Sequence, residues 1–130
     1  MILMVKTDGS NLEMYLYENG TCIEDKSIEL GRELSRHILE QLQELFAVHG
    51  KTLQKDISGI VVYQGPGSFT SLRIGITVCN TLAYAAPAPI VGTQGDSWRE
   101  DGLARLNAQE DDKIAMPFYG AEAHITSPRK

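Results

Sequence analysis

Gln64-Gly65-Pro66-Gly67-Ser68-Phe69-Thr70-Ser71-Leu72-Arg73-Ile74-Gly75 joins a short apolar run to a long apolar helix through a glycine-proline turn. The preceding Ile60, Val61, Val62 and Tyr63 are β-branched or aromatic, as a buried strand requires, and Gly65-Pro66-Gly67 breaks that run. Ser68 or Thr70 stands where a hydroxyl can cap the helix that follows. Strand, tight turn and helix in this order make the building unit of α/β proteins, which place ligands or partners at such junctions.

Upstream, three strands are expected at Met1 to Lys6, Leu12 to Tyr17 and Thr21 to Glu29. Asn19-Gly20 between the last two tolerates positive φ at both positions, so an antiparallel meander opens the chain. From Gly31 to His49 the period becomes helical: Leu34, Ile38, Leu42, Leu45 and Phe46 recur at three and four, and Gly50 stops the run. A linker from Lys51 to Asp56 leads to the buried strand near Ile57 to Tyr63, then the turn, then a helix from Ser68 to about Ala85, ended by Pro87. Pro89, Ile90 and Val91 read as one more short strand. Beyond Gly92 the pattern fades. Asp96-Ser97 suits the cap of a short polar helix carrying Trp98, Leu103 and Leu106, and Lys113 to Phe118 with Glu122 to Thr126 suits a hairpin around Tyr119-Gly120.

At 130 residues, 42% of them hydrophobic and 22% charged, the chain has material for one modest core. A formal net charge of −5 argues against unaided grip on a nucleic-acid backbone, which needs clustered Lys and Arg. Cys22 and Cys79 have no ligand or redox spacing, and His37, His49 and His124 lie far apart, so no metal site is expected. The apolar run Met1 to Val5 is too short for a signal peptide, and no run approaches the roughly 20 residues of a membrane span; a cytoplasmic protein is expected. Glu110-Asp111-Asp112 reads as a solvated turn.

The turn lacks the lysine of a phosphate-binding G-x-x-x-x-G-K-[ST] loop, although N–H groups at Ser68, Phe69 and Thr70 sit where a helix dipole attracts anions. Ser68 and Ser71 have neither a G-x-S-x-G elbow nor a base beside them, which removes support for peptidase chemistry. No catalytic residue is assigned. Arg73 is a lone cation among Leu72, Ile74 and Ile76; its fork fits a carboxylate or phosphate of a partner, or a carbonyl within the fold. In the helix, Phe69, Leu72, Ile76 and Ala83 mark one face, while Ile74, Val78, Cys79, Leu82 and Ala85 continue around the cylinder. So wide an apolar surface either fills the core on both sides or leaves a face for another helix, with Gly75, Thr77 and Ala83 permitting close approach.

Gly65 to Gly75 resembles the GPGSFTGLRIG signature of the TsaB family, differing only at Ser71. Ile38-Leu39 with Leu42, Leu45 and Gly50 is similar to that family's first helix. Asp56-Ile57-Ser58-Gly59-Ile60-Val61-Val62 is similar to its DLDAIAV strand, and Pro89 to Gly92 to its IPVVGVSSL segment. The resemblance implies an α/β fold of RNase H-like (actin-like ATPase) type: an N-terminal lobe over residues 1–95, a mixed sheet of antiparallel β-meander followed by α-β-α-β. Residues 96–130 remain as a short C-terminal extension where members usually carry a second lobe.

It further implies a noncatalytic scaffold subunit, without a cofactor of its own, in the synthesis of the threonylcarbamoyl-adenosine modification of tRNA. A TsaD-like catalytic subunit and a TsaE-like ATPase are the implied partners, with a homodimer as a further assembly and tRNA contacted only indirectly. Phe69, Leu72, Arg73, Ile76 and Ala83 are then expected at the partner interface, with Gly65, Pro66, Gly67, Ser68 and Thr70 forming the signature turn. Lys6 stands at the position equivalent to the first-strand aspartate of actin-like enzymes, and Asp8 behind it reads as a turn residue. Two rivals remain: a small actin-like phosphotransferase binding ATP at Gly65 to Thr70, and a stand-alone homodimer.

Overall fold

The computed structural model describes residues 1–118. Strands β1 (Ile2–Lys6), β2 (Asn11–Glu18) and β3 (Thr21–Glu29) form the expected antiparallel meander. Its second turn has positive φ at both Asn19 (55°) and Gly20 (80°), which these two residue types accept at little cost. Helix α1 (Leu34–Ala47) follows a 3-10 turn at Gly31–Glu33. The segment expected as a plain linker contains a single helical turn, α2 (Leu53–Asp56), because the Thr52 side chain accepts from the Lys55 N–H and Leu53 buries itself. Then come β4 (Gly59–Gly65), α3 (Phe69–Ala85), β5 (Ile90–Gln94) and α4 (Trp98–Asn107).

The sheet order is β3-β2-β1-β4-β5, with β1, β4 and β5 parallel. Strands covered on both faces read as continuous apolar runs, and β1 and β4 do so. Strand β2 instead alternates: Leu12, Met14 and Leu16 are sealed from water on the face that α1 covers, while Tyr15 points to the other face. There α4 sits, its Trp98 ring meeting Tyr15 and Tyr63 edge-on at 5.9 and 5.7 Å between centroids. Gly102 lets α4 lie close on the sheet, since a Cβ there would strike the Val61 side chain. The five apolar residues that mark the period of α1 are all buried, each worth about 1.5–3 kcal/mol of apolar transfer.

Helix α4 matches the element expected after Asp96-Ser97, although the Ser97 side chain makes no capping bond. Residues 113–118 form no strand. They run as a strap whose backbone is held by side chains and by the end of β4. Asn80 bonds both the N–H and the carbonyl of Ala115 (2.8 and 3.0 Å), Gln64 Nε2 donates to the Met116 carbonyl (2.8 Å), and the Phe118 N–H donates to the Gln64 carbonyl (2.8 Å). The other half of the expected hairpin, Glu122 to Thr126, lies outside the described residues.

Candidate partner-binding face

The signature turn docks onto the end of β1. The Ser68 N–H donates to the Asp8 carbonyl at 2.8 Å, Thr7 Oγ1 donates to the Ser71 carbonyl at 2.8 Å, and Tyr63 Oη donates to the Pro66 carbonyl at 2.8 Å. A Cβ at Gly67 would lie 2.6 Å from Asp8 Cβ, so only glycine lets the two loops touch. Gly65 has φ +139° and faces the Phe118 carbonyl, with no room for a side chain. Ser68 caps α3 by accepting from the Ser71 N–H at 3.4 Å. The Ser68 N–H, one of three suggested anion donors, is therefore occupied within the fold. Lys6 Nζ lies 3.7 Å from Asp8 Oδ2 and 4.6 Å from the Tyr63 ring centroid, an internal pairing at the head of β1.

Of the five residues expected to meet a partner, three face inward. Leu72 (0% exposed), Ile76 (3%) and Ala83 (4%) belong to the core with Cys79, against β1 and β4. Gly75 makes its close approach to Thr7, where a Cβ would overlap the threonine side chain, so the room it leaves is filled by this residue just past β1 instead of a foreign helix. The reason lies in the chain itself: two bonds from Thr7 and Asp8 to the first turn of α3 fix which way the helix rolls. Leu72, Ile76 and Ala83 are thus corrected from interface to core.

Phe69 and Arg73 do face outward. Phe69 is 53% exposed, and the Arg73 guanidinium lies 5.2 Å from its ring centroid. Together with Ser35, Thr70, Ile74, Thr77 and Val78 they line an open groove of about 410 Å³ between α1 and α3. A smaller hollow of about 140 Å³ continues along the same helix pair, bordered by Leu39, Gln43, Leu53, Gln54, Leu82, Ala85 and Ala86. Ile74, Thr77 and Val78 stand outside the five residues expected at the partner interface. At about 100° per residue Thr77 falls opposite Gly75 together with Phe69, Thr70 and Arg73, and a helical glycine marks the side of closest packing; Ile74 and Val78, about 100° and about 60° from Gly75, carry no such signal. The groove has apolar walls, hydroxyls and one guanidinium, and no acid-base pair. It suits a helix that brings apolar side chains and a carboxylate.

On the other face, burial pushes the Tyr15 hydroxyl up to about 12, helped by its 2.7 Å bond to Glu13. Burial raises Tyr63 as well, with Asp8, Asp96 and Glu13 adding to it. Among the described residues no three His, Cys, Asp or Glu side chains converge as a metal cage, and no helix is long and apolar enough to cross a membrane.

An antiparallel meander leading into two parallel strands through helices on one face gives the lobe the mixed α/β sheet of an RNase H-like fold. Its fold is similar to that of YeaZ from Pseudomonas aeruginosa, with a TM-score of 0.66 at 24% identity over 78% of this chain and 49% of that one. A family model described as "TsaD: tRNA N6-adenosine threonylcarbamoyltransferase" matches residues 28–94. The tRNA threonylcarbamoyladenosine biosynthesis protein TsaB of Escherichia coli (strain K12) is 32% identical over 91% of this chain and 53% of its own length. Its counterpart in Bacillus subtilis (strain 168) is 34% identical over 92% and 50%. The chain belongs to the TsaB family, within the group that this TsaD model describes. It spans about half the length of the curated relatives it matches.

Proposed function

We propose that this chain is a noncatalytic partner subunit in the biosynthesis of threonylcarbamoyladenosine in tRNA, acting in the cytoplasm by supporting a TsaD-like transferase. One observation carries the reading. The lobe closes its own core, yet leaves between α1 and α3 an apolar groove with a single guanidinium, formed by Phe69, Arg73, Ile74, Thr77 and Val78. The names of the TsaB relatives supply the pathway.

In this reading the transfer takes place on the partner, which also holds the nucleotide and contacts the tRNA, in keeping with a net charge of −5 here. A TsaE-like ATPase joins the assembly through the partner pair. Lys6, paired internally with Asp8 and Tyr63, fills the head of β1 where an actin-like enzyme needs a carboxylate, which weighs against the phosphotransferase rival. The groove residues work by packing and orientation, not proton transfer.

The test is co-purification of this chain with the TsaD-like transferase of the same organism. Phe69→Glu and Thr77→Glu, both at exposed positions lining the groove, are expected to keep the circular dichroism of the parent and lose the transferase, because each sets an unpaired carboxylate in the contact. Retained binding in both variants refutes the groove as the docking site. A second copy is the competing occupant, and sedimentation of the same variants reads it: loss of a dimer without any transferase binding by the parent favours the stand-alone homodimer.

A further inference from the structure

Strand β5 ends the sheet, and the outward backbone groups of its Ile90 and Gly92 are matched one by one by side chains and a loop from its own chain. The Ile90 N–H donates to Asp111 Oδ1 at 3.1 Å and the Gly92 N–H to Asp112 Oδ2 at 2.9 Å. The Ile90 carbonyl accepts from the Asp112 N–H at 2.8 Å and the Gly92 carbonyl from Arg105 Nη1 at 3.0 Å. Arg105 also grips Asp112 through both terminal nitrogens, with Nη1 to Oδ2 at 3.2 Å, and its Nε bonds Glu110 at 2.6 Å. Asp111 Oδ1 takes a second backbone donor, the Lys113 N–H, at 2.8 Å. These donors, the Ile90 N–H first, hold the Asp111 carboxyl below its ordinary value.

Residues 90 and 92 point away from β4, since Val91 and Thr93 alternate with them, so these four groups are the ones a sixth strand would use. An open edge of this kind is a template for pairing with another chain. The opposite edge, β3, is blunted in the ordinary way by its charged residues Glu24, Asp25, Lys26 and Glu29. Strand β5, Ile-Val-Gly-Thr-Gln, carries no charge at all.

We propose that Arg105, Asp111 and Asp112 form a clasp that stands in for a sixth strand on β5 and keeps two copies of this chain from joining sheets edge to edge. The clasp supplies what the sequence of β5 lacks. It also gives a role to the acidic run at 110–112, which composition alone reads as a solvated turn.

The experiment compares the full chain with Asp112→Ala by amide hydrogen exchange and by sedimentation over a range of concentrations. In dilute solution the Ile90 and Gly92 amides of the variant should exchange about tenfold faster or more, as expected for a locally opened edge. At high concentration the variant should assemble beyond the parent's own stoichiometry, with those two amides protected again. Unchanged exchange and sedimentation in a folded variant overturns the clasp; faster exchange without added assembly overturns its role against pairing. Should Asp112→Ala fail to fold, Arg105→Gln and Asp112→Asn decide the matter. Arg105→Gln should assemble, and Asp112→Asn, which keeps an oxygen for the Gly92 amide, should stay closer to the parent. Parental behaviour in both overturns the proposal.

Discussion

Helix α3 carries two apolar faces with opposite fates. Leu72, Ile76, Cys79 and Ala83 are all but sealed against β1 and β4, whereas Phe69, Ile74 and Val78, a fraction of a turn away, border an open groove beside Arg73. Side-chain hydrophobicity does not separate the two sets: Ile76 and Ile74 are the same residue. What separates them is the seating of the first turn, where Thr7 and Asp8 bond the backbone of Ser71 and Ser68, and where Gly75 lets the helix sink onto Thr7. The roll of an all-apolar helix is set by its polar anchors and its glycine. The face open to a partner is whatever that roll leaves outside.

The comparison breaks most easily at its isoleucine pair. Ile76→Glu places a carboxylate in a site that is 3% exposed and should cost roughly 3–5 kcal/mol, enough to unfold a domain of ordinary stability. Ile74→Glu, at a half-buried position that borders the groove and also packs against the core, should cost less, roughly 1–2 kcal/mol. Urea denaturation of the two variants measures the difference directly, and equal losses would show that both faces are core.

Gly75→Ala comes next. Intrinsic helix propensity favours alanine by up to about 1 kcal/mol, and a glycine facing a partner helix would show that gain. Here the new methyl overlaps the Thr7 side chain and threatens its bond to the Ser71 carbonyl, so the net change should be a loss of roughly 1–3 kcal/mol, as for other overpacked cores. A rise in thermal stability would place Gly75 on the outer face after all.

Cys79 reports on the inner face through its chemistry. Burial pushes its thiol from the ordinary 9.0 up to about 12. A group whose folded value is raised stabilises the fold fully below the unfolded value and loses that contribution as pH climbs toward the folded one. Stability should therefore decline between pH 9 and 12, by about 1.4 kcal/mol at one unit above the unfolded value. Tyr15, also raised to about 12, adds to the fall above its ordinary 10.0. In Cys79→Ala the part of the slope that begins near pH 9 should vanish. A thiol reagent at pH 8 should label exposed Cys22 at once and Cys79 only through unfolding.

The N-terminal half was legible because its signals are local. Asn19-Gly20 specifies a hairpin within two residues, and the three-and-four spacing from Leu34 to Phe46 names the buried side of α1 without reference to anything else. The strand, turn and helix around Gly65 to Gly75 were legible for the same reason. The direction of α3 was not, since the bonds that set it come from Thr7 and Asp8 in the loop after β1, far away in sequence. Trp98 gave only a faint helical pattern, yet it anchors α4 beneath Tyr15 and Tyr63. The strap at 113–118 and the clasp on β5 rest on side-chain bonds to backbone from Asn80, Gln64, Arg105 and the two aspartates, which have no periodicity to read.

The smallest expected effect on stability belongs to Arg73, and it divides the two faces most sharply. Arg73 is exposed and meets the Phe69 ring at 5.2 Å, a contact worth about 0.5–1 kcal/mol at such a site. Arg73→Ala should therefore move the unfolding free energy by less than about 1 kcal/mol. If the groove receives a helix bearing a carboxylate, the same change removes a charge-assisted bond and leaves that carboxylate desolvated, with a cost to binding of roughly 2–5 kcal/mol. Arg73→Lys keeps the charge but loses the planar fork, and should recover only part of the affinity. Titration of the TsaD-like transferase with the parent and both variants gives the ranking. A loss of stability as large as the loss of binding would mean that Arg73 serves the fold, and the division of α3 into a core face and a partner face would fail at its clearest residue.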